Sequence, residues 1–88
     1  MVKALFFTGT RCSACKSMHP VVVRLLKEGF KIEEKDVDEN RELAEKYRVT
    51  TLPTFVILRD NKEVKRFIGI TPIASLRDAL KNPDYRIY

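Results

Sequence analysis

A chain of 88 residues can bury one modest hydrophobic core, so we treat residues 1–88 as a single domain. Hydrophobic residues make up 44% of the sequence and charged residues 33%, which argues against a disordered chain or a fibrous repeat. The longest apolar runs, residues 4–7 and 55–58, have four residues each, whereas roughly 20 are needed to cross a bilayer. The N-terminus turns polar too early for a secretory signal, so we expect a cytoplasmic protein without a membrane partner.

The net charge of +5 is concentrated at one end of the sequence. Five basic side chains and no acidic ones precede Glu28, and residues 28–88 hold twelve of each sign. The excess therefore lies in the segment that contains both cysteines, where a positive field would stabilise thiolates and favour acidic partners. A solvated basic face without a function is the alternative. No interleaved aromatic and basic motif of a nucleic-acid reader occurs, so we expect no nucleic-acid partner.

The first half of the chain predicts a strand, a helix and a second strand. Residues 3–7 form a continuous apolar run bounded by Thr-Gly-Thr, which is typical of a strand buried on both faces. Residues 13–28 predict an amphipathic helix that Gly29 ends. Its apolar positions, at helical spacing, are Met18, Val21, Val22, Leu25 and Leu26. Residues 31–37 alternate weakly and are heavily charged, which indicates an edge strand.

The second half predicts a short helix, a hairpin and a last helix. Asp38 or Asn40 can cap the short helix, whose buried stripe would be Leu43, Ala44 and Tyr47. Residues 54–58 form the second strongly apolar strand, and residues 59–62 turn into a strand over residues 63–68. Thr71 as N-cap and Pro72 as first helical residue would begin a last helix that runs to about Lys81. Its inward side chains would be Ile73, Leu76 and Leu80.

This order of elements, βαβαββα, predicts an α/β fold with a four-stranded mixed sheet and three helices. Both apolar strands should be central, and the first helix should pack with the last. The tail beyond the last helix carries Tyr85 and Tyr88, which we expect to pack over a sheet edge.

Only two cysteines occur, Cys12 and Cys15, directly after the first strand and at the start of a helix. There, unpaired backbone N–H groups and the positive helix end would stabilise a thiolate at Cys12, and Cys15 lies one turn further on. The pair can attack a substrate disulfide and then resolve it. A zinc site would require two chains, because His19 is the only histidine, and an incidental pair is the other alternative. His19, seven residues from Cys12, is expected to be solvated.

The Cys-x-x-Cys position and three later features together resemble the thioredoxin-like superfamily, as a minimal form of that fold. Pro20 lies five residues after the second cysteine, Thr51-Leu52-Pro53 directly precedes the apolar strand, and Gly69 follows sixteen residues after Pro53. The resemblance implies that Pro53 follows a cis peptide bond and lies against the cysteines, although sequence alone favours trans. The backbone at Thr51 and Leu52 would then be free to bind an extended substrate.

Two departures from the family stand out. Arg11 occupies the place where most thioredoxins have Trp, and Phe6 the place of a buried Asp that assists the second cysteine. The short length and the Thr-x-Pro pattern at residues 51–53 are similar to glutaredoxins. However, glutaredoxins usually have Pro-Tyr between their cysteines and a glycine pair near the position of Gly69, and this sequence has neither.

The resemblance implies a protein disulfide oxidoreductase with a redox-active disulfide between Cys12 and Cys15. Cys12 would be the nucleophile, Cys15 the resolving thiol, Arg11 the thiolate stabiliser and Pro53 a scaffold on the substrate side. We expect a monomer with no cofactor beyond an external electron donor, either a thioredoxin reductase or glutathione. One alternative is a glutaredoxin-like, glutathione-dependent reductase. The other is a non-catalytic binding or redox-sensing module on the same scaffold.

Overall fold

The computed structural model describes residues 1–82, which form four strands and three helices in the predicted order. The strands are β1 (Val2–Thr8), β2 (Ile32–Asp36), β3 (Thr54–Arg59) and β4 (Lys62–Ile68). The helices are α1 (Ser13–Lys27), α2 (Arg41–Lys46) and α3 (Ile73–Lys81). The predicted packing of Tyr85 and Tyr88 lies outside the described residues.

The four strands form one mixed sheet in the order β2-β1-β3-β4. β1 runs parallel to β2 and antiparallel to β3, and β3 pairs antiparallel with β4. The two apolar strands are therefore central, as predicted, and the charged strand β2 is at an edge. Asp60 and Asn61 form a two-residue turn between β3 and β4, both with positive φ, which suits the twist of a tight hairpin.

Helices cover both faces of the sheet, because side chains of the central strands alternate between two hydrophobic clusters. On one face, Ala4, Phe6, Phe55 and Ile57 pack against α1 and α3. On the other face, Leu5, Phe7, Val56 and Leu58 pack against Ala44 of α2. Among residues 1–82, none of the helices is long and apolar enough to span a membrane.

Two predicted helix caps are wrong in detail. α3 begins at Ile73, with Pro72 at the N-cap in an extended conformation, because the Thr71 hydroxyl donates to the carbonyl oxygen of Gly69 (3.0 Å). Asn40 occupies the N-cap position of α2, but its side chain makes no hydrogen bond to the first turn of the helix. Its amide donates instead to the backbone oxygen of Asp36 (2.9 Å). In both places a local turn uses the side chain that the sequence assigns to a cap.

The sheet register brings three loops to one end of the molecule. Phe7, near the end of β1, pairs with Thr54 at the start of β3, and Thr54 pairs in turn with Ile68 at the end of β4. The loop after β1, the loop before β3 and the loop after β4 therefore meet at this end. Together with Cys15 in the first turn of α1, they contain every residue that the sequence assigns to the site.

Candidate active site

Cys12 is the N-cap of α1 and lies half-buried at the sheet end just described. Its backbone is extended (φ −108°, ψ 104°), and its Sγ accepts a hydrogen bond from the backbone N–H of Cys15 at 3.0 Å. No acidic residue lies in the first turn of α1, so no carboxylate of that turn offsets the positive end of the helix dipole. The local environment favours negative charge on this sulfur.

Cys15 lies in the first turn of α1 with only 3% of its surface exposed. It forms a disulfide with Cys12, and the two Cα atoms are 5.2 Å apart. Cys15 belongs to the same hydrophobic cluster as Phe6 and Met18, and the Phe6 ring stacks on Phe55 with centroids 4.7 Å apart. The two sulfurs therefore have different surroundings: one reaches the surface, and the other lies inside the core.

The segment Thr51-Leu52-Pro53 has the conformation that the resemblance implies, since the Leu52–Pro53 peptide bond is cis. Pro53 is fully buried, and its carbonyl oxygen accepts a hydrogen bond from the Gly69 N–H at 2.8 Å. The Thr54 hydroxyl donates to the Thr51 carbonyl oxygen at 2.5 Å. These bonds fix the segment, while Thr51 stays exposed and Leu52 half-buried.

Gly69 joins β4 to the loop before α3 with φ +87°, a conformation that strongly favours glycine. A Cβ built on Gly69 would meet no atom within 4 Å, so the backbone conformation and not crowding selects glycine here. Its two neighbours, Ile68 and Ile70, are 59% and 66% exposed. The sequence places isoleucine on both sides of this loop glycine, but it does not show that both side chains are exposed.

Arg11 is exposed in the turn before Cys12. Its guanidinium has no hydrogen bond or ion pair with any residue in the range 1–82. It is therefore not held by another side chain, and its role as thiolate stabiliser stays a prediction.

A cavity of about 340 Å³ lies beside Cys15, between α1 and the paired strands β1 and β2. Phe6 and Thr8 of β1 line it, and their register partners Glu34 and Asp36 of β2 line it too. His19 completes the wall from α1. The sequence analysis missed this cavity because it depends on the register between β1 and β2. Within residues 1–82, no group of three or more potential metal-ligating side chains occurs.

Comparison with known proteins agrees with this geometry. The sequence model of the Thioredoxin family matches residues 3–82. The chain belongs to the thioredoxin family. Thioredoxin from Echinococcus granulosus is 35% identical over 77 residues, which are 85% of this chain and 71% of that relative. Thioredoxin from Bacillus subtilis (strain 168) is 39% identical over 70 residues, which are 76% of this chain and 67% of that relative.

Solved thioredoxin structures share the fold. A mutant thioredoxin from Halobacterium salinarum superposes with a TM-score of 0.88 at 28% identity, covering 99% of this chain and 78% of that one. Fasciola hepatica thioredoxin superposes with a TM-score of 0.84 at 37% identity, covering 92% of this chain and 79% of that one.

Family membership and the Cys12–Cys15 disulfide together identify this thioredoxin-family chain as a protein disulfide oxidoreductase. The family acts on protein disulfides and takes its electrons from a reductase. The matches reported above are all thioredoxins, which does not favour the glutaredoxin-like alternative.

Proposed function

We propose that this thioredoxin-family chain reduces protein disulfides with Cys12 as the nucleophile and Cys15 as the resolving thiol. In the reduced protein, the Cys12 thiolate attacks one sulfur of a substrate disulfide. A Cys12–substrate disulfide forms, and the second substrate sulfur leaves with the electron pair of the broken bond. Cys15 then attacks Cys12 Sγ and releases the first substrate sulfur as a thiol. The substrate gains two electrons, and the protein is left with its Cys12–Cys15 disulfide.

The observation that carries this assignment is the contrast between the two sulfurs. Cys12 Sγ lies half-buried at the N-terminus of α1 and accepts a backbone N–H, whereas Cys15 is 3% exposed. A substrate disulfide can reach only a sulfur at the surface. Backbone N–H groups at a helix N-terminus stabilise the thiolate, which is the reacting form.

The loops that surround Cys12 supply a surface for an extended substrate segment. Thr51 is exposed close to the fixed Pro53, and Ile68 and Ile70 add exposed apolar area on either side of Gly69. We propose that the substrate backbone pairs with Thr51 and Leu52 and that its apolar side chains contact these isoleucines. Arg11, which is exposed and directly precedes Cys12, would favour acidic residues near the substrate disulfide.

We further propose that the electron donor is a thioredoxin reductase and not glutathione, because the residues that follow Gly69 lack the second glycine of glutaredoxins. A single chain contains both thiols, so a monomer suffices for the cycle. The cytoplasmic location expected from the sequence stays a prediction.

One assay tests the function and its donor together. The turnover of a protein disulfide is measured with NADPH and a thioredoxin reductase, with glutathione and its reductase, or with neither. We expect turnover with the first system only, and none for Cys12→Ser in any of them. Turnover with glutathione alone would overturn the proposed donor. No turnover with either donor, or with dithiothreitol as the reductant, would favour a non-catalytic module.

A further inference from the structure

We infer that His19 accepts the proton that Cys15 loses during the resolving step, and that Glu34 assists it from the facing wall of the cavity. This inference rests on the proposed function, in which Cys15 must become a thiolate before it attacks Cys12. It assigns to His19 and Glu34 a task for which β1 offers no side chain. Neither residue contacts the substrate, so both act through Cys15.

Within residues 1–82, Cys15 has no proton acceptor on the side of the core. Its neighbours there include Phe6, Met18 and Phe55, which are each 1% exposed or less and carry no titratable group. A phenyl ring cannot accept a proton, and apolar surroundings disfavour a thiolate. The proton of Cys15 must therefore leave on the side of the cavity.

Cys15 and His19 line the same wall of the cavity, the one formed by α1. They are four residues apart on α1, a spacing at which Cβ atoms on a helix lie about 5–6 Å apart. Both residues line the same space of about 340 Å³, which has room for bridging water molecules. A direct contact or a single water can therefore carry the proton from the thiol to the imidazole.

Three charged side chains line the cavity together with His19: Lys16, Glu34 and Asp36. On its own helix, Lys16 lines the cavity, and a lysine side chain is a hydrogen-bond donor and not an acceptor. From β2, Glu34 and Asp36 face the cavity, and β1 contributes no charged side chain to it. Asp36 is engaged by the Asp38 N–H at 2.8 Å, whereas the Glu34 carboxylate has no partner within residues 1–82.

The chemistry of the two side chains assigns the proton acceptor to His19 and the stabilising carboxylate to Glu34. Imidazole is the side chain that most often serves as a general base near neutral pH, since it exchanges its proton readily there. A carboxylate beside it stabilises the imidazolium that forms. In the resolving step, the Cys15 S–H proton moves to His19, and the Cys15 thiolate forms a bond to Cys12 Sγ. The substrate sulfur leaves with the electron pair of the broken Cys12–substrate disulfide bond. The imidazolium then returns its proton to the substrate thiolate or to water.

The test loads Cys12 with a chromophoric aryl thiol as a mixed disulfide and follows its release by Cys15 from pH 5.5 to 10. In the wild type we expect a rate that is already substantial near pH 7. His19→Gln should release the label at least about tenfold more slowly at pH 7, since a positioned general base usually contributes about 10²–10⁴-fold to a rate. The two rates should converge above about pH 9, where hydroxide removes the proton. Added imidazole should restore part of the rate in His19→Ala.

Lys27→Gln is the matched control, because Lys27 is also an exposed side chain of α1 but lies outside the cavity. It should release the label at the wild-type rate. Equal profiles for the wild type and His19→Gln would overturn the inference. A uniform slowing of His19→Gln at every pH would also overturn it, because that is the mark of a structural defect.

Glu34→Gln tests the second residue, with Glu33→Gln as its control on the opposite face of β2. Glu34→Gln should slow release about threefold near neutral pH, because the imidazolium loses its carboxylate partner. A faster release would show that Glu34 only repels the thiolate and would remove it from the proposal. If the wild type releases no label at any pH, the proposed function fails and this inference falls with it. Normal release that is insensitive to His19 overturns the inference alone.

Discussion

Arg11 directly precedes Cys12, is exposed, and has no partner within residues 1–82. A guanidinium stays charged at physiological pH, so it should raise the thiolate fraction of reduced Cys12. We expect Arg11→Ala to slow alkylation of Cys12 at pH 7 by less than about tenfold, since solvent screens an exposed charge. Arg11→Lys should keep most of the rate. An unchanged rate for Arg11→Ala at low ionic strength would show that the side chain points away from Cys12.

The substitution Gly69→Ala tests whether the backbone conformation at this position holds residues 51–53 in place. Gly69→Ala should cost about 1 kcal/mol of unfolding free energy, because alanine is strained at φ +87°. Gly29 is the matched control, since it has φ +97° and a similarly open Cβ position far from Cys12 along the chain. Both alanine variants should lose similar stability in urea unfolding.

Only Gly69→Ala should raise the KM for a protein disulfide, because backbone strain at φ +87° would shift the N–H that holds the carbonyl oxygen of Pro53. The activity of Gly29→Ala, per folded molecule, should match that of the wild type. An equal loss of activity in both variants would show that Gly69 supports folding alone and has no part in positioning residues 51–53.

At the scale of elements, one ion pair ties the end of α1 to α3. Arg77 donates from Nε and Nη2 to the two carboxylate oxygens of Glu28, each at 2.8 Å, and Arg24 adds a third hydrogen bond at 3.1 Å. The hydrogen bond from Arg77, with a smaller contribution from Arg24, lowers the pKa of Glu28 from 4.5 to about 2. A lowered pKa in the folded state means that the pair stabilises the protein above pH 4.5. This stabilisation is lost as the pH falls from 4.5 to about 2.

We therefore expect Glu28→Gln to lower the Tm at pH 7 by less than about 5 °C, since both side chains are partly exposed to solvent. The difference from the wild type should shrink below pH 4.5 and vanish near pH 2. Glu39→Gln, an exposed carboxylate with no side-chain partner within residues 1–82, should show no such dependence. A Tm difference that is constant from pH 7 to pH 2 would contradict the role of the ion pair.

The elements themselves were largely predictable from the sequence, and their ends were less so. Residues 4–7 and 55–58 are continuous apolar runs, and such runs predict central strands. The charges of residues 31–37 predict a strand at the edge of the sheet. The capping roles of Thr71 and Asn40 were wrong in detail because each side chain also has a backbone acceptor within reach. Local sequence does not show which of two competing hydrogen bonds forms.

At the scale of the whole molecule, the cysteine pair was predictable, whereas the surroundings of Cys15 were not. Strand, cysteine pair and helix follow one another directly in the sequence, so local pattern placed Cys12 at a helix start. The cavity joins residues from three elements, and the register of Phe6 with Glu34 brings a carboxylate to the cavity that Cys15 also lines. The sequence places His19 seven residues from Cys12, which predicts a solvated side chain. In the structure His19 lines the same cavity as Cys15, one helical turn away.

If Cys12 attacks the substrate and Cys15 resolves the mixed disulfide, the intermediate can be trapped by removing the Cys15 thiol. Reduced Cys15→Ser protein is mixed with an excess of a protein disulfide, and the products are separated without a reductant. We predict that Cys15→Ser accumulates a disulfide-linked complex through Cys12, that Cys12→Ser forms none, and that the wild type releases reduced substrate. A complex formed through Cys15 in Cys12→Ser, or no complex with either variant, would contradict the roles of Cys12 as nucleophile and Cys15 as resolving thiol.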